Sequence, residues 1–133
     1  MSLVSLSPFL RRVLIADALV SAVAGLAMAA GASPMQELFA LPSSLLLAAG
    51  LALFPWAAAL LWLARERDVP RAAVWAVIVL NVLWIVESIW VALGGSFHPN
   101  ALGEAFIAVQ ALMVAVLAEL EFIGLKRSAL ALA

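Results

Sequence analysis

Four apolar runs, each about twenty residues or longer and separated by short polar breaks, leave this chain very few folds. At about 1.5 Å per residue, such a run in helical form spans roughly 30 Å, the thickness of the hydrocarbon core of a bilayer. Strands are seldom that long, and the Ala and Leu content of the runs suits helices. Inside hydrocarbon, moreover, a helix satisfies its own backbone hydrogen bonds. The sequence therefore predicts an all-α membrane protein, a single domain over 1–133 built as a four-transmembrane-helix bundle, up-down-up-down because the connections are short. Composition agrees: 68% of the residues are hydrophobic and 11% charged, against roughly 45–50% hydrophobic in soluble proteins. A chain of 133 residues has too little interior to hide so much apolar surface from water.

The breaks place the spans at about 10–31, 43–64, 71–93 and 101–125. Ser7 before Pro8 is a helix start, Ser as N-cap and Pro at the first helical position. Ser33, Pro34, Met35 and Gln36 repeat that signal, with Gln36 spaced as in a capping box, and predict one short interfacial helix before Leu41 and Pro42. Ser43 and Ser44 open the second span, Gly94 and Gly95 close the third, and Lys126 and Arg127 close the fourth. The only strongly charged loop is 65–70. Paired Arg11 and Arg12 before an apolar run also imitate a cleavable secretory signal, but Asp17 falls inside the run and the run is long enough to span.

All seven Lys and Arg residues (Arg11, Arg12, Arg65, Arg67, Arg71, Lys126 and Arg127) lie on one side of such a bundle. That asymmetry predicts a multi-pass protein of a bacterial inner membrane with both termini in the cytoplasm. Trp62 and Trp75 near the inner boundary, with Trp90 and Phe97 near the outer one, suit an aromatic belt. The lipid bilayer is the expected partner, with a homo-oligomer or a larger membrane complex also allowed. A net charge of -1 gives nucleic acid no basic surface, and the absence of Cys removes thiolate chemistry and Cys-based metal sites.

Polar residues inside the spans are the candidate functional groups. Asp17 lies about 9 Å below the level of Arg11, on a face it shares with Ser21, Ala24 and Met28. It marks either a proton or cation path or an acid paired with Arg12 or Lys126. Glu87 is 16 residues beyond Arg71, towards the side without basic residues, and is the foremost candidate. Asn81, Trp84, Ile85 and Ser88 share one face of the third helix, and Gln110 of the fourth matches Asn81 in depth. Two amides at one level can bond across helices or line a polar site. Pro55 is mid-span and is expected to kink the second helix. Small-residue stripes over Ala48, Ala52, Pro55 and Ala59, and over Glu104, Ala108, Ala111, Ala115 and Ala118, predict close helix contacts. Glu119 and Glu121 read as partners of Lys126 and Arg127. His98 with Glu37, Glu87 and Glu104 matches no metal motif and reads as a solvated loop residue, so no metal, cofactor or catalytic set is expected.

Arg11 and Arg12 with Asp17, Pro70 and Arg71, the run Asn81-Val82-Leu83-Trp84, Ser88, and Phe106 with Gln110 and Ala111 give the chain its resemblance. It resembles the small, uncharacterised four-span proteins of bacterial inner membranes, a likeness that implies the fold and no activity. Three functions are then open: an accessory or structural membrane component, a small oligomeric proton-coupled transporter or channel subunit, and a membrane-embedded enzyme. The first is the leading expectation.

Overall fold

The structure, a computed structural model, describes residues 2–129. In chain order the elements are β1 (Leu3–Ser5), α1 (Pro8–Ala30), α2 (Ala32–Phe39), α3 (Ser43–Arg65), β2 (Asp68–Pro70), α4 (Arg71–Leu93) and α5 (Ala101–Arg127). Four of the helices, α1, α3, α4 and α5, are 23 to 27 residues long and apolar enough to cross a membrane. The fold is all-α, as composition and spacing predict.

Helix starts follow local chemistry. Ser7 caps α1, its hydroxyl accepting from the Leu10 amide at 3.1 Å, with Pro8 in the first turn. Asn100 caps α5 by accepting from the Gly103 amide at 2.8 Å. At α3 the expectation needs correction. Gln36 does not close a capping box in its own helix, which begins at Ala32; its Oε1 instead accepts from the Ser43 amide at 2.9 Å and caps α3. The short helix thus locks the start of the next span through an otherwise orphan amide. Arg11 does the reciprocal task at the far end of α3, donating to the carbonyl oxygen of Ala64.

The helices pack as two tight pairs, α1 with α3 and α4 with α5, joined mainly through α1 and α5. Gly25 and Gly50 let α1 and α3 approach to backbone contact. A Cβ on Gly50 would lie 2.8 Å from the Ala29 nitrogen and 2.9 Å from the Gly25 oxygen. The seam on α3 is therefore Leu46, Gly50, Leu53, Ala57 and Leu60, all buried. The stripe expected there, Ala48, Ala52, Pro55 and Ala59, is exposed rather than buried in the seam, with Ala52 facing a cavity, and α3 runs on through Pro55.

One end of the bundle is closed by a feature the sequence reading missed. β1 and β2 pair antiparallel, Val4 opposite Val69, and both valines are buried. The Ser5 amide donates to the Ala129 oxygen at 2.8 Å and the Leu6 amide to the Arg67 oxygen at 3.0 Å. Hence the start of α1, the end of α3, the start of α4 and the end of α5 meet at this end, which carries all seven basic residues. At the opposite end Phe39 of α2 stacks on Phe106 of α5, centroids 4.7 Å apart. There the Asn100 amide donates to the Phe39 oxygen at 3.2 Å.

Much of the outer surface is apolar: Val23, Leu26, Leu93, Val109 and Leu112 are each at least 61% exposed. In water such a surface would aggregate; against acyl chains it is the expected exterior.

Candidate functional site

Asp17, Asn81 and Glu121 meet inside the bundle. Asp17 follows the buried face of α1 formed by Leu14, Ala18 and Ser21, and only 3% of it is exposed. Asn81 comes from α4, one turn beyond the buried Val77 and Ile78. Glu121 lies on the buried stripe of α5 formed by Leu117, Ala118, Gly124 and Leu125, and is fully buried. The Asn81 amide nitrogen donates to Asp17 Oδ2 at 3.0 Å and to Glu121 Oε1 at 2.7 Å. The Ser21 hydroxyl donates to Asp17 Oδ1 at 3.3 Å.

Counting donors defines the cluster's character. Two carboxyl groups present four oxygens, and Asn81 has two amide hydrogens, both used. With Ser21 taking a third oxygen, Glu121 Oε2 is left buried without a partner. The site is one donor short, and a shared proton or an arriving cationic or hydrogen-bond-donating group would complete it.

The counter-ions that the sequence suggests are elsewhere. Glu121 does not pair with Lys126 or Arg127: Lys126 lies over the Phe122 ring at 4.6 Å and Arg127 over the Phe9 ring at 4.8 Å. Nor is Asp17 paired with Arg12 or Lys126. Among the described residues the ion pair within 4.0 Å is Arg65 with Glu66, at 3.6 Å on the surface. The reason is register: Glu121 is on the inward face of α5, one turn ahead of Gly124 and Leu125, while the two cations face out.

The amide pair expected between Asn81 and Gln110 does not form. Antiparallel packing sets Asn81 level with Glu121, and Gln110 level with Ser88, about 10 Å further along α4. Gln110 accepts from Trp84 Nε1 at 2.7 Å and donates to the Ser88 hydroxyl at 2.9 Å and the Ile107 oxygen at 3.0 Å. Ser88 in turn donates to the Trp84 oxygen at 2.7 Å. This second network ties α4 to α5 with every donor used, whereas the first is incomplete.

Between the two helix pairs lies a cavity of about 840 Å³. Its walls are mostly apolar and come from all four long helices. Asp17, Ser21 and Asn81 form its polar part at one level, and Glu87, Ser88 and Gln110 at another. Leu19, Val23 and Val109, also on the lining, are 58%, 69% and 62% exposed, so the cavity opens sideways on the apolar exterior. A single chain thus frames a ligand-sized space. Glu87 is exposed and lines this cavity on the α4 side. His98 is exposed on the connection between α4 and α5, and among the described residues no three Asp, Glu or His side chains converge as metal ligands.

What fold and site define together is a class: an all-α protein with four helices long and apolar enough to cross a membrane and a polar cluster inside their bundle. Compared with protein families, curated proteins and solved structures, the chain matches none.

Proposed function

We propose that the chain is a small transport component of a bacterial inner membrane, which takes a molecule from the lipid phase into its central cavity and moves a proton at the Asp17, Asn81 and Glu121 cluster. The observation that carries this reading is the juxtaposition of an incomplete carboxylate cluster with a cavity open to the apolar exterior. Intramembrane acids without a resident counter-ion belong to ion and proton paths more often than to plain packing contacts. Threading is up-down-up-down with both termini and the basic end in the cytoplasm; the gathering of all seven cations at one end supports it. Asp17 and Glu121 then lie in the inner half and Glu87 in the outer half.

A test uses vesicles holding the full chain and a panel of fluorescent apolar dyes, cationic, neutral and anionic. A pH gradient should drive accumulation of at least one dye beyond protein-free vesicles. Asp17→Asn and Glu121→Gln should each abolish the accumulation, since the amide replacements keep shape but not the exchangeable proton. Uptake equal to protein-free vesicles, or undiminished in both variants, contradicts the reading.

An accessory or structural role is the second reading. The exposed Ala48, Pro55 and Ala59 favour it, because small residues on an outer face admit a second copy or another helix at close range. On that reading Ala59→Leu breaks assembly while Asp17→Asn leaves activity intact.

A further inference from the structure

We propose that the cavity selects a cationic amphiphile, an apolar body bearing one positive charge, and excludes anions of the same shape. The inference rests on the transport reading above and names its substrate class. Of the residues lining the cavity, the ionisable ones are Asp17 and Glu87, both acidic. Lys, Arg and His are missing from the lining, and the seven cations lie at the closed end beyond the core formed by Leu10, Leu14, Leu60 and Val74.

Charge complementarity therefore has one sign throughout the cavity. An anion drawn in from the bilayer would meet two acids and no donor cation, a like-charge encounter in a low-dielectric wall. A cation meets Glu87 first, on the exposed side of α4, and Asp17 about 9 Å deeper, at the level of Asn81 six residues along the helix. Asp17 is joined through Asn81 to the buried Glu121, so charge brought to Asp17 is felt by the whole cluster, and Trp56 and Trp84 also line the cavity. The volume, about 840 Å³, accommodates a drug-sized molecule.

The experiment compares two near-isosteric ions of opposite charge, tetraphenylphosphonium and tetraphenylborate, with neutral tetraphenylmethane. Binding to the full chain in lipid nanodiscs is read by quenching of tryptophan fluorescence, and binding to empty discs is subtracted. The phosphonium should bind at least about tenfold more tightly than the borate. Glu87→Gln should weaken the phosphonium about tenfold and leave the borate unchanged or improved; Glu87→Asp should restore most of the loss. Because Glu87 is exposed, both variants should keep the parent thermal midpoint. Equal affinity for the three probes overturns the charge selection and leaves the transport reading standing. Absence of binding by all three overturns both.

Discussion

Asn81 is the residue on which the site depends, because one amide nitrogen serves two carboxyl groups from different helices. Replacing it by Leu, similar in size, strips both acids of that donor in a buried setting. The destabilisation should be about 1–3 kcal/mol for each acceptor left unpaired, read as a lowered thermal midpoint in detergent; an unchanged midpoint would mean the acids find other partners. Coupling through Asn81 has a second signature. Asp17→Asn and Glu121→Gln should be non-additive by about 0.5–3 kcal/mol in a double-mutant cycle, and additivity would show that the two acids act independently. At the turn after α2, Ala40 adopts φ 55°, the left-handed region that disfavours a Cβ. Ala40→Gly should therefore stabilise the chain by about 1 kcal/mol in the same assay.

At the scale of elements, close approach of α1 and α3 depends on Gly50 more than on the alanines of α3. Since a Cβ there would strike backbone atoms of α1, Gly50→Ala should cost about 1–3 kcal/mol and Gly50→Leu more, seen as lost thermal stability or altered mobility of the solubilised protein. Ala48→Leu, on the exposed face, should leave both unchanged. Helix existence and ends were legible because Ser7 with Pro8, the Gly94 and Gly95 pair, and runs of fitting length are local signals. The inward face of α1 was legible too, since Asp17, Ser21 and Met28 recur at helical spacing. Which face of α3 turns inward was not: it is rich in small residues on more than one side, and periodicity cannot choose between a Gly50 seam and an Ala52 seam. The pairing of Leu3–Ser5 with Asp68–Pro70 was equally hidden, for three-residue strands are too short to show alternation.

For the whole molecule, the order of packing decides what the polar residues do. Sequence spacing places Asp17, Asn81 and Gln110 inside helices, but their partners depend on how α4 and α5 slide past each other, and that offset is a tertiary property. Glu121 escaped notice because Lys126 and Arg127 offered a nearer explanation; continuing the stripe of Ala111, Ala115 and Ala118 by one more turn would have brought it inward. The inner position of Asp17 and Glu121 and the outer position of Glu87 require the basic end to face the cytoplasm and the connection between α4 and α5 to face away from it. The chain has no Cys, so single cysteines report cleanly. Ser96→Cys and Ala129→Cys, both at exposed positions, can be treated in intact cells with a membrane-impermeant maleimide. Labelling at position 96 in intact cells, and at 129 only after the membrane is opened, is the predicted result. Labelling of both from the same side would contradict the threading and the site depths with it.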